Sequence, residues 1–147
     1  MVTKWSDRLK RNNKKAGTDF ENAFVQILSE QGFWVHKMQD NRNGQPFDVI
    51  AAKQGCTYVF DCKDCKNDTF PLSRIEENQY NAMSLWQQCG NQEGLFVMNT
   101  SKGIRILSLE ILEFLKDRNI KTVNKNDLLW YSTPLSEWLE GLSGSNY

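Results

Sequence analysis

Residues 58–73 read YVFDCKDCKNDTFPLS, and the way the central DCKDC faces decides what the surrounding chain can be. Cys62 and Cys65 form a C-x-x-C pair, the spacing of a metal or redox site. Asp61 and Lys63 form a D-x-K pair at the end of an apolar run. Tyr58, Val59 and Phe60 have the aromatic and β-branched character of a strand. Side chains on a strand alternate between its two faces. Tyr58, Phe60 and Cys62 therefore share one face, and Val59, Asp61 and Lys63 share the other. The acid and the lysine project together, and Cys62 points with the aromatic residues into packing.

Just upstream, 46-PFDVIAA-52 and 57-TYVFDCK-63 are two β-rich runs on either side of a K-Q-G-C turn, the pattern of a hairpin. It sets Asp48, flanked by Phe47 and Val49, on the strand next to Asp61. A carboxylate in an apolar strand is costly when buried without a partner. Two of them on adjacent strands repel unless a cation lies between them. Hard divalent cations take oxygen ligands and are often held by one or two carboxylates and water. A lysine beside such a site can stabilise charge developing on a phosphate. The alternative is a half-solvated sheet in which Lys63 is a cross-strand partner, a contribution of about 0.2–1 kcal/mol. Spacing alone leaves both readings open.

Elsewhere, 17-GTDFENAFVQILSEQGF-33 has the apolar stripe of a helix in Phe20, Phe24, Ile27 and Leu28. Thr18 and Glu21 have capping-box spacing, which accounts for Glu21 without chemistry, and Gly32 is a stop signal. WVHKM is a short strand, DNRNGQ a polar turn and FPL an extended piece. A second helix is expected from Ser73, with Glu76 three residues on, to about Gly90. Its apolar face carries Ile75, Ala82, Met83 and Trp86, and Gln79 lies on that face. An amide there must find partners or cost roughly 1–3 kcal/mol. A pocket holding a phosphate or a metal's water would supply them, as would a satisfied core. GLFVMNT and GIRILS are strands around S-K-G, and LEILEFLKDR is a third helix. In the tail from Asn119, LLWY reads as extended and GLSGSNY as fraying. The order αβββαββα plus a tail predicts an α/β fold with a mixed sheet of about five strands flanked by helices. The first three strands pair antiparallel, and the crossover helix brings one parallel neighbour.

The chain has 147 residues and no net charge, but the charge is unevenly placed. Lys4, Arg8, Lys10, Arg11, Lys14 and Lys15 stand against Asp7 alone in the first fifteen residues, leaving the remainder acidic. Such an arm can contact phosphates, or it can be a solvated tail. No apolar stretch reaches the roughly 18 residues that a membrane span requires. The basic start has no apolar segment after it, so a cytoplasmic location is expected, with cysteines as thiols or metal ligands.

Glu21 in GTDFE, Asp48 in PFDVIA, and Asp61 with Lys63 in FDCK together resemble the PD-(D/E)xK nuclease superfamily. This is a restriction-endonuclease-like fold that cuts DNA with divalent metal. The run FDCKDCKNDTFPLSRIEENQYNAM is most similar to RecU-type Holliday junction resolvases, in a compact version such as a phage could encode. The resemblance covers roughly residues 17 to 115. It implies Asp48 and Asp61, with the backbone carbonyl of Cys62, as ligands of one or two Mg2+ or Mn2+ ions, and Glu21 as a helix acid near the metal. It also implies Lys63 as the catalytic lysine and Gln79 as an accessory residue. The acid before x-Lys is Asp61 where glutamate is more usual, and Phe47 separates Pro46 from Asp48. The implied organisation is a basic arm over 1–16, a nuclease domain over 17–118 and an extension over 119–147 packed on it. The arm would contact DNA. A four-way junction has two-fold symmetry, so a homodimer making paired nicks is expected. LLWYSTPLSEWL could serve as a dimer surface or as core.

Rival readings belong to other classes. A zinc site would need Cys62 and Cys65 with two of Cys56, Cys89 and His36, although only one close pair is present. A thioredoxin-like C-x-x-C should open a helix, whereas Cys62 falls in a strand. A nuclease fold that binds DNA or protein without cutting would keep the same architecture, and a less selective endonuclease the same chemistry.

Overall fold

The computed structural model of the chain describes residues 4–39 and 45–144. Helix α1 runs over Lys4–Glu30, well upstream of the start expected near Thr18. The residues before Gly17 contain no proline and are mostly fair helix formers, so the helix propagates through that glycine at a cost of about 1 kcal/mol. Thr18 is thus internal, and the Thr18–Glu21 spacing does not mark a helix end. The side chains of Lys4, Arg8, Lys10, Arg11, Lys14 and Lys15 lie outside the described residues.

Strands β1 (Trp34–Lys37), β2 (Val49–Lys53) and β3 (Cys56–Asp64) form the expected antiparallel meander. Gln54 and Gly55 close the β2–β3 turn with φ of 52° and 80°, the left-handed region that such turns demand. After β3 comes a 3-10 turn over Lys66–Asp68, then the short strand β4 (Phe70–Pro71) and a second 3-10 turn over Leu72–Arg74. Helix α2 covers Glu77–Gln88, starting later than expected because the 3-10 turn intervenes. It crosses to β5 (Leu95–Thr100), which pairs parallel with β3, and β6 (Gly103–Ser108) returns antiparallel. Gly94 leads into β5 directly under α2, where an added Cβ would come within 2.5 Å of Met83 Sδ.

The tail departs most from expectation. After α3 (Leu109–Asp117) and β7 (Thr122–Val123), residues Lys125–Tyr131 form α4, so LLWY is helical. The reason is local: Asn124 Oδ1 accepts from the Asp127 N–H at 2.9 Å, a helix cap. Strand β8 (Thr133–Pro134) then pairs with β6 and adds a sixth strand, giving the sheet order β1-β2-β3-β5-β6-β8. β4 and β7 form a separate two-stranded sheet. Helix α5 (Leu135–Gly144) covers the start of GLSGSNY, whose last three residues lie outside the described residues.

Each face of the sheet carries a core. On one, Phe20, Phe24 and Leu28 of α1 meet Tyr58, Phe60 and Val97, with Trp138 of α5 stacked against Phe33. On the other, Met83, Leu112, Leu115 and Leu128 of α2, α3 and α4 cover Val59, Phe96, Met98 and Leu107. Trp138 therefore packs half-buried against the first core, while Trp130 is 82% exposed. Among the described residues no helix is long and apolar enough to cross a membrane.

Candidate active site

β3 is the centre from which the site is built. Its alternation sends Tyr58, Phe60 and Cys62 into the α1 core and Val59 into the α2 core. Asp61 and Lys63 lie on the Val59 side, and Lys63 Nζ stands 3.0 Å from Asp61 Oδ2. Asp61 is fully buried, and its ammonium partner is largely so. Asp48 sits at the entrance to β2 and is held like a strand residue. Its N–H donates to Phe60 O at 2.9 Å, and its carbonyl accepts from the Met38 N–H at 2.8 Å. The Asp48 carboxylate therefore lies beside β3, where Oδ2 accepts from the backbone N–H of Cys62 at 2.7 Å. N–H and C=O of one strand residue open toward the same neighbour, so the Cys62 carbonyl faces that side as well.

Gln79 completes the cluster from α2. It is the third helical residue, and its side-chain Oε1 accepts from the Glu76 N–H at 3.2 Å in a capping box. With that oxygen engaged, the amide NH2 turns to Asp61 and donates to Oδ1 at 3.3 Å. The helix cap thus lies between Glu76 and Gln79, three residues beyond the expected Ser73–Glu76 pair. A residue that sequence reading missed does the equivalent for the other acid: Gln45 Nε2 donates to Asp48 Oδ1 at 3.3 Å. Gln45 belongs to a stretch that reads only as a polar turn, so no spacing signal announces it.

The electrostatics are unfavourable for two free carboxylates. Burial pushes the Asp61 carboxyl up to about 8 against the pull of Lys63, and the neighbouring Asp48 adds to the rise. Lys63 lies off the hydrogen-bonding direction, so Asp61 Oδ2 is buried without a hydrogen-bond donor. Burial also drives the Cys62 thiol well above its ordinary value, with Asp48 and Asp61 contributing. A buried oxygen lacking a donor, beside a second carboxylate and a backbone carbonyl, is a donor set that fits a hard divalent cation.

Glu21 is placed differently. It lies on α1, which packs against the Cys62 face, and its carboxylate is 3.5 Å from Lys37 Nζ on β1. With the helix running through Thr18, its position is not explained by capping. Among the described residues, no group of three or more His, Cys, Asp or Glu side chains gathers to hold a metal. This overturns the zinc reading. Cys62 and Cys65 pack in opposite cores, Cys56 borders the first, Cys89 is exposed at the end of α2, and His36 is exposed on β1. Every cysteine is a free thiol.

A family model described as recombination protein U matches residues 24–131 of the chain. Comparison with curated proteins finds no match. Among solved structures, the chain is similar to Hjc of Archaeoglobus fulgidus, a Holliday junction resolvase from an archaeal hyperthermophile. The TM-score is 0.64 at 15% identity, over 84% of this chain and 99% of that one. At that identity the likeness establishes a shared fold.

Proposed function

The chain belongs to the recombination protein U family, and from that membership we propose that it is a metal-dependent endonuclease that resolves four-way DNA junctions. The observation that carries the reading is the Asp48–Asp61 pair. Placing a fully buried carboxylate beside a second one, with a single lysine for compensation, costs stability unless a cation joins them.

Asp48, Asp61 and the Cys62 carbonyl would hold Mg2+ or Mn2+. When bound, that ion would lower the pKa of a water and offset charge on the phosphate under attack. The chain's own groups set the geometry. The Cys62 N–H and Gln45 orient the Asp48 carboxylate, and Gln79 orients that of Asp61. Asp61 in turn holds the Lys63 ammonium at 3.0 Å. From there Lys63 donates to the scissile phosphate or to the attacking water, where positive charge is most effective in a partly dehydrated cleft. Glu21 is an accessory acid on the α1 side, held by Lys37. The basic residues between Lys4 and Lys15 supply affinity for the DNA backbone. Paired nicks on a two-fold substrate call for a homodimer.

A gel comparing four-way junction, flap, linear duplex and single strand, each with Mg2+ or EDTA, tests this directly. Symmetric Mg2+-dependent cutting of the junction is expected. Binding without cutting under every metal condition would show that the fold serves as a binding module instead.

A further inference from the structure

A groove of about 570 Å3 opens where the second 3-10 turn faces the end of α3 and β7. Its walls are Pro71, Leu72 and Ile75 on one side and Ile120, Lys116 and Lys121 on the other. Pairing of β4 with β7, and the Leu72 N–H donated to Lys121 O at 2.9 Å, fix the two walls together. The second 3-10 turn ties its wall to the candidate active site through neighbouring residues. Arg74 Nη1 donates to the carbonyl of Asp64, the residue after Lys63, at 3.0 Å. Ile75 leads straight into Glu76, whose N–H holds Gln79.

Two cations, Lys116 and Lys121, line the groove, and the stretch around them is locally basic. Beyond the first fifteen residues the chain is net acidic, yet residues 116–125 carry Lys116, Arg118, Lys121 and Lys125 against Asp117 alone. Arg74, Lys116, Arg118 and Lys121 are all exposed. Among the described residues the ion pairs are Lys37–Glu21 and Lys63–Asp61, and none of these four takes part in one. Three rest on aromatic faces instead: Arg74 at 5.7 Å from the Phe70 centroid, Lys116 at 4.4 Å from Tyr80 and Arg118 at 4.3 Å from Phe114. The nearby Glu113 carboxylate accepts from Tyr80 OH at 2.9 Å and, among the described residues, forms no ion pair with Lys116. Cations held on aromatic rings keep their full charge and lose little side-chain entropy when an anion arrives.

We propose that this groove is a second DNA-binding face, separate from the basic N-terminal residues, that takes the phosphodiester backbone of one duplex arm leading from the cleavage site. The identification of the polymer as DNA rests on the nuclease reading above. Contacts of this kind position the substrate and carry no sequence preference. They leave a signature in salt dependence, because each phosphate neutralised adds about 0.9 to the slope of log K against log salt.

The test is the double variant Lys116→Gln/Lys121→Gln, with affinity for a four-way junction and for a duplex of the same arm measured by fluorescence anisotropy across a salt series in EDTA. The variant is expected to bind both more weakly, with a slope smaller by about 2. The Lys116→Arg/Lys121→Arg variant should keep the wild-type slope. Equal affinity and slope in the Gln variant and the wild type would overturn the proposal. If the slope changes but the wild type cuts no junction in Mg2+, the groove assignment stands and the resolvase reading falls. If the wild type binds no DNA, both fall.

Discussion

Replacing Asp61 with asparagine should abolish cleavage and yet make the metal-free protein more stable. A carboxyl whose folded-state pKa is raised stabilises the fold fully below its ordinary value of 3.8, and this contribution is lost as pH rises through about 8. Each unit of that window is worth about 1.4 kcal/mol, so in EDTA near pH 8 the ionisable side chain costs on the order of 5 kcal/mol. Asparagine removes this penalty while still accepting from Gln79 through its carbonyl. The pull of Lys63 on the ionised carboxylate is already contained in that raised value, so the loss of its charged partner subtracts nothing further. Asparagine is therefore favoured by on the order of 5 kcal/mol, or roughly 10–20 °C in melting temperature for a domain of this size. Melts by circular dichroism should show that margin at pH 8 in EDTA and a much smaller one at pH 5, where the wild-type carboxyl is protonated. Adding Mg2+ should raise the wild-type curve and leave the variant where it is. An Asp61→Asn protein that melts below the wild type at pH 8 in EDTA would refute the electrostatic argument, whatever its nuclease activity.

Gln79→Ala removes both the donor to Asp61 and the helix cap, so junction cleavage should fall by about 10–100-fold. Urea unfolding should detect a stability loss of only about 1 kcal/mol. The Cys65→Ala/Cys89→Ala variant should cut at a rate within about twofold of the wild type, and elemental analysis should find no stoichiometric zinc in either protein, because the thiols do not converge. Trp138→Ala should cost about 3–5 kcal/mol in urea unfolding. Its ring lies 5.3 Å from Tyr58 and 5.7 Å from Phe60, in the core that α5 completes.

Much of the sheet was legible because its signals are short-ranged. The K-Q-G-C turn demanded a hairpin, and the helix after the third strand demanded a parallel neighbour; both are present. The misread parts involved competition between neighbouring signals. Thr18–Glu21 has the spacing of a cap, but a longer helix overran it. Ser73–Glu76 has the same spacing, but a 3-10 turn intervened and handed the cap to Glu76 and Gln79. LLWY has strand composition, yet Asn124 capped a helix first.

For the candidate site, the order of residues is enough to place Asp61 and Lys63 on one face and Cys62 on the other. A two-residue alternation is a property of the strand alone and needs no knowledge of its neighbours. What holds those groups in place depends on packing between elements. Gln45 reaches Asp48, Gln79 turns its amide to Asp61 because Glu76 occupies its oxygen, and Glu21 pairs with Lys37 across from the cluster. These contacts bring together residues from separate elements, and their geometry is set by how sheet and helices pack, which no local spacing encodes.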